Sequence, residues 1–200
     1  MSESVDSTVV RKRHRAFGVR GLMVLVGLIV LGLALLGLFN RSADRARRKA
    51  KNLTSRATAS TIQTAINSFY SEYNRLPDPR TSPAATDATF DTASAEGVKL
   101  LAILMGRETG DDQQNTKRLS FLVVHQGRNE RDGAIYSGGK IEKLVDPFGQ
   151  GYRVAIDYDG NGQLTLPDES GPPGILSGHR AAAYSLGESG KGGGDAIRGW

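Results

Sequence analysis

The sequence contains no cysteine. Disulfides, thiolate metal ligands and thiol nucleophiles are therefore excluded. Histidine is nearly as scarce, with three in 200 residues. His14 stands in a basic N-terminal stretch, and His125 and His179 lie far apart without metal-ligand spacing. No nucleophile elbow or phosphate-binding string is present, and Gly192-Gly193-Gly194 lacks the strand-to-helix setting of a phosphate cradle. No catalytic constellation emerges, so the chain is expected not to be an enzyme. Aromatics make up only 6%, while 25 glycines and 7 prolines point to a loop-rich part. A mass of 21.4 kDa accommodates one modest domain and an accessory segment.

Positive charge is missing from most of the chain, despite a net charge of +5 and a pI near 9.6. Residues 1–56 hold 12 Lys/Arg against 3 Asp/Glu, and residues 57–200 hold 14 against 18. The basicity belongs to one end, and the remainder is mildly acidic. A nucleic-acid binder carries its positive charge on the folded domain, so no nucleic-acid partner is expected.

Charge is also absent from Gly21 to Phe39, GLMVLVGLIVLGLALLGLF, a run of 19 residues. That length matches a bilayer core at about 1.5 Å per residue, and predicts a transmembrane helix over 21–39. The flank Phe39-Asn40-Arg41-Ser42 lacks the small-x-small pattern of secretory signal cleavage. Five basic residues precede the run (Arg11, Lys12, Arg13, Arg15, Arg20) and six follow it (Arg41, Arg45, Arg47, Arg48, Lys49, Lys51). Charge counting therefore leaves the orientation open.

The helical pattern continues past the run. Ala43, Ala46, Ala50, Leu53, Ala57, Ile62, Ile66, Phe69, Tyr73 and Leu76 recur mostly at three- and four-residue steps, and Pro77 and Pro79 end the pattern. One helix is expected from about Gly21 to about Tyr73, apolar all round and then amphipathic. Residues 77–91 read as a loop and Ala95–Arg107 as a second helix. Leu119–Val124, Tyr152–Asp157, Gln163–Leu166 and Ala182–Leu186 read as strands. Asn161-Gly162 marks a tight hairpin between two of them. The fold class expected is α+β, a long N-terminal helix packed on a small antiparallel sheet. Its segments are a basic leader 1–20, the membrane helix 21–39, its amphipathic continuation 40–76 and a globular domain 77–200 with a Gly-rich C-terminal loop.

Several strings resemble those of type IV pilin-like proteins, and most of all the major (G-type) pseudopilins of type II secretion systems. Phe69-Tyr70-Ser71-Glu72-Tyr73-Asn74-Arg75-Leu76-Pro77 is similar to the end of that family's long helix. Leu144-Val145-Asp146-Pro147-Phe148-Gly149-Gln150-Gly151-Tyr152 resembles Leu-x-Asp-Pro-Trp-Gly-Asn-Pro-Tyr. Ala183-Tyr184-Ser185-Leu186-Gly187-Glu188-Ser189-Gly190-Lys191-Gly192-Gly193 resembles Tyr-Ser-Leu-Gly-Ala-Asp-Gly-Lys-x-Gly-Gly, and Asp195-Ala196-Ile197-Arg198-Gly199-Trp200 resembles Asp-Ile-x-x-Trp. The resemblance implies a pilin-like fold and polymerisation through the N-terminal helix. Its implied partners are further copies, other pseudopilins, an inner-membrane assembly platform and a prepilin peptidase cutting between Gly18 and Val19. Met23 stands where the family carries glutamate. The implied location is the inner membrane, single-pass, with a cytoplasmic N-terminus and a periplasmic domain. The rival reading is a permanently anchored protein with an outer ligand- or calcium-binding domain.

Calcium is the one cofactor either reading brings in. In the resembled pseudopilins it staples the C-terminal loop, and the matching positions here are Leu186, Glu188, Ser189 and Asp195. The alternative for this loop is packing by Trp200. Independently, Asp157, Asp159, Asn161 and Asp168 stand at calcium-loop positions one, three, five and twelve, with Gly162 at six. The alternative there is an Asx-rich turn.

Overall fold

The computed structural model describes residues 19–82, 85–171 and 174–200, and only the backbone for residues 19–21 and 30–42. The chain forms two units, residues 1–46 and 47–200. Helix α1 is Val19–Tyr73. In the first unit its described apolar side chains, Leu22 to Ile29, are 51–72% exposed. No helix among the described residues is long and apolar enough to cross a membrane. The 19-residue run lies partly outside them, since the side chains of Gly21 and residues 30–39 are not described.

The second unit is α+β with small antiparallel sheets. Strands β1 (Ala88–Asp91), β4 (Tyr152–Ile156), β7 (Ala181–Ser185) and β8 (Ile197–Arg198) form one sheet in the order β1-β4-β7-β8. Two hairpins flank it, β2 (Gly133–Ser137) with β3 (Lys140–Val145), and β5 (Gln163–Thr165) with β6 (Ile175–Ser177). Helix α2 (Ala95–Leu104) is capped by Ser94, whose hydroxyl accepts from the Gly97 amide at 3.1 Å. The α1 stretch within this unit lays Ala59, Ile62, Ala65, Ile66 and Phe69 into a core with Leu100, Leu104, Leu122, Tyr152 and Val154.

The buried face of α1 differs from the expected stripe. Ala43, Ala46, Ala50 and Ala57 are exposed, and Leu53 is 59% exposed. Ser55 and Ala59 instead precede Ile62 on the buried face. The five-residue step from Ala57 to Ile62 explains this. At about 100° per residue, Leu53 lies roughly 180° around the helix from Ile62. Small residues at 55, 59 and 65 let the sheet approach the helix closely. At Gly199 an added Cβ would stand 2.8 Å from backbone atoms of Ala59 and Ser60.

Other expectations also shift. Leu119–Val124 is not a strand, because the Phe121 and Leu122 amides both donate to the Leu104 carbonyl, at 2.8 and 3.0 Å. Helix α2 stops at Leu104, short of Arg107, where Gly106 turns left-handed at φ 65°. Asn161-Gly162 does not join paired strands: β4 pairs with β1 and β7, while β5 pairs with β6. The 77–91 loop also yields strand β1. The C-terminal loop contains a 3-10 turn, Gly193–Asp195, and strand β8.

The helix face predicts its own mutational contrast. Phe69→Ala is expected to lower unfolding free energy by about 3–5 kcal/mol, and Leu53→Ala by well under 1. Urea denaturation of the full chain checks this, and equal losses would contradict the assigned face.

Candidate functional site

Two of the resembling strings, 144–152 and 183–193, meet in space. Strand β3 ends at Val145, and Asp146 opens a turn in which the Gly149 amide donates to the Asp146 carbonyl at 2.9 Å. The fully buried Asp146 carboxylate accepts from the Phe148 and Gln150 amides through Oδ1, each at 2.8 Å. Its Oδ2 accepts from the Ser185 hydroxyl at the end of β7. Ser185 Oγ in turn accepts from the Gly187 amide at 3.0 Å. Gly187 sits at φ 75°, and a Cβ there would stand 2.2 Å from the Asp195 carbonyl oxygen. One carboxylate thus fixes the 146–150 turn, the end of β7 and the start of the tail. Burial raises the Asp146 carboxyl above its ordinary value, opposed first by the Ser185 hydrogen bond and then by the amides.

A second polar chain runs beside it. Arg153 on β4 pairs with Asp91 on β1 and donates from Nε to Glu169 at 3.0 Å. The Tyr184 hydroxyl donates to the same Glu169 oxygen at 3.3 Å, and Arg198 Nε donates to the Ser170 carbonyl at 2.9 Å. Trp200 lies edge-on to the buried Tyr184 ring, centroids 6.1 Å apart, and packs on Ala155, Leu164, Leu166 and Ala182.

The tail residues fall in different places. The Leu186 carbonyl accepts from the Gly192 amide at 3.1 Å. Glu188, Ser189 and Asp195 line one wall of a cleft of about 540 Å³, and Arg48, Lys49 and Arg56 of α1 line the other. Glu188 pairs with Arg48 at 2.9 Å, and Ser189 Oγ accepts from the Lys191 amide at 3.3 Å. The cations opposite offset the negative potential that a calcium ion seeks. Gly18 lies outside the described residues, and Val19 is the first residue of α1.

The Asp157 loop gathers a different set. Asp157, 3% exposed, accepts from the Gly160 amide at 2.7 Å and the Gly162 amide at 3.0 Å. Asp159 accepts from both the backbone and side-chain nitrogens of Asn161. These bonds are those of an Asx-rich turn. Asp168 opens the 3-10 turn Asp168–Ser170 and is not in the cluster. The third carboxylate is Asp87, just before β1, and one oxygen each of Asp87, Asp157 and Asp159 lies within 4.8 Å of the others. Asp87 Oδ2 accepts from the Thr165 amide at 3.4 Å, while its buried Oδ1 has no hydrogen-bond partner among the described residues. Burial, then Asp159 and Asp157, push the Asp87 carboxyl above its ordinary value. Sequence spacing missed Asp87 because it lies seventy residues upstream, just before β1. Among the described residues this is the only group of three or more His, Cys, Asp or Glu close enough to share an ion.

No family model matches the chain, and neither a curated protein nor a solved structure does.

Asp146→Ala is expected to cost about 3 kcal/mol, because the part-buried amides of Phe148 and Gln150 and the buried Ser185 hydroxyl lose their acceptor. Asp146→Asn retains one acceptor oxygen and costs less. The Asp146 carboxyl is raised above 3.8 in the folded chain. The folded state therefore binds more protons in that window, and this group's contribution to stability falls as pH rises through it. Urea melts of parent and Asp146→Asn at pH 4 and pH 7 test the sign. The parent should do relatively better at pH 4, and the reverse trend would refute the assignment.

Proposed function

We propose that the chain is a pseudopilin-like subunit of a type II secretion or type IV pilus-like machine. The observation that carries this reading is the Asp146–Ser185 contact. It joins Asp-Pro-Phe-Gly and Tyr-Ser-Leu-Gly, parts of two of the resembling strings, into one buried junction. Further support comes from a small antiparallel sheet against the 47–73 stretch of a long helix, and from Trp200 anchored on that sheet. On this reading the chain works mechanically and catalyses nothing. Apolar N-terminal helices pack side by side in a filament core, in a homopolymer with other pseudopilins. Growth from an inner-membrane assembly platform pushes cargo outward, with the domain periplasmic and the leader cytoplasmic.

The leader supplies the test. Co-expression with an active prepilin peptidase should yield a mature chain beginning at Val19 by intact-mass spectrometry. An uncut Met1 end beside a control substrate that is cut would overturn the reading. Because the chain has no cysteine, pairs introduced along the apolar run should give copy-to-copy disulfides without background.

A second reading, an anchored protein with a cation-binding outer domain, is favoured by one observation. Among the described residues the buried Asp87 Oδ1 lacks a hydrogen-bond partner, within a cluster of three carboxylates. Calcium at millimolar concentration should then raise the melting temperature of the parent but not of Asp87→Asn. Loss of the shift in Asp195→Ala alone would move the ion to the tail, and no shift in the parent would end this reading.

A further inference from the structure

Arg80 and Arg180 are each held over a tyrosine ring, and only one of them has its edge filled. The Arg80 guanidinium carbon lies 4.1 Å from the Tyr158 ring centroid. Its Nε donates to Asp78 Oδ1 at 2.8 Å and its Nη2 to Asp78 Oδ2 at 2.7 Å. The Arg180 guanidinium carbon lies 4.3 Å from the Tyr70 ring centroid, and its N–H groups meet no acceptor among the described residues. A guanidinium held by an aromatic ring keeps its N–H fork for a planar two-oxygen acceptor. Within this one domain, Asp78 shows what such a fork takes.

We infer that Arg180 and His179 hold the carboxylate of a small aliphatic ligand in the pocket between α1 and the segment joining β6 to β7. That pocket has a volume of about 340 Å³, and Tyr70, Leu76, Asp157, His179 and Arg180 line it. Its acceptors are already used: Asp157 takes the Gly160 and Gly162 amides, and the Gly162 carbonyl takes the Gly178 amide at 2.8 Å. Its donors are not. The Gln63 side-chain amide donates to His179 Nδ1 at 2.9 Å, so the neutral ring carries its proton on Nε2. Unspent donors beside satisfied acceptors select an acceptor ligand, and the fork of Arg180 makes it an anion. The Asp157 carboxylate narrows the class further, because it repels a phosphate dianion about twice as strongly as a carboxylate. Leu76 gives the carbon chain an apolar wall. The site needs no metal ion and rests on neither functional reading given above. Arg180 is exposed, so affinity on the order of millimolar is expected.

The test uses the full chain in non-ionic detergent with EDTA present, and isovalerate as the probe. Broadening of the isovalerate methyl resonance should saturate with the parent. Arg180→Gln should weaken binding about tenfold, and His179→Ala several-fold, with melting temperatures in the absence of probe unchanged. Arg180→Lys keeps the charge without the fork and should recover little of the affinity. Isovaleramide, the same carbon skeleton without the charge, should show no saturable broadening with the parent, a control that depends on no variant. Inorganic phosphate at equal concentration should not displace isovalerate. The carboxylate of a free metabolite and that of a peptide terminus share this chemistry. Tighter binding of acetyl-Gly-Gly-Leu than of isovalerate would identify the peptide terminus, and weaker binding the free acid. Absence of saturable broadening in the parent would overturn the inference, as would an Arg180→Gln or Arg180→Lys chain that binds like the parent. Displacement by phosphate would overturn the carboxylate assignment.

Discussion

A carboxylate removed from water must be surrounded by donors or give up its charge, and Asp146 meets that constraint with two backbone amides and a hydroxyl. The geometry leaves little freedom. The amides come from its own turn, so they set how β3 leaves the hairpin. The hydroxyl comes from the last residue of β7, so it sets where the central sheet ends. Through Ser185 the same contact reaches Gly187, where only a residue without a Cβ avoids the Asp195 carbonyl. Thr92 performs the neighbouring task, donating to the Leu144 carbonyl at 2.6 Å and accepting from the Tyr152 amide at 2.7 Å. Hairpin, sheet and tail are thus held by a few buried polar groups that have no alternative partners.

How much of this was legible in the sequence follows from the range of each interaction. Helix α2, β4, β5 and β7 were placed to within a few residues, because local periodicity and turn residues determine them. Strand β1 was hidden in a Pro/Thr/Asp-rich segment, since its pairing with β4 spans more than sixty residues and leaves no local mark. The β2–β3 hairpin leaves little local mark because Gly133–Ser137 shows no apolar/charged alternation and the register shifts between Ile135 and Tyr136. Asp157 and Asp159 were legible as a turn-forming pair, but Asp87 was not, for the same reason as β1. Leu53 was misplaced by a single five-residue step, which a count of spacings tolerates and a helix does not.

Electrostatics divide the molecule in a way the total charge conceals. The cations of α1 between Arg47 and Arg56 face outward or line the cleft with Glu188 and Asp195. The carboxylates of the domain are mostly engaged inside it: Asp91 and Glu169 hold Arg153, Asp146 holds its turn, and Asp157 closes its loop. Ion pairs between sheet strands here are half-buried and networked, the setting in which they matter most for geometry. The domain's negative charge is therefore largely structural, and Glu188 turns part of it toward Arg48 of the helix.

The close approach of Gly199 to Ala59 and Ser60 also has a bearing on the order of events during synthesis. A chain that emerges N-terminus first presents Ile62, Ile66 and Phe69 long before the strands that cover them exist. The face nearest Ala59 is covered last, since its partner lies beyond β8. Contacts of such long sequence separation close slowly, and the uncovered helix face is sticky in the interval. Whatever receives this chain as it is made must shield that face until residues 181–200 have arrived.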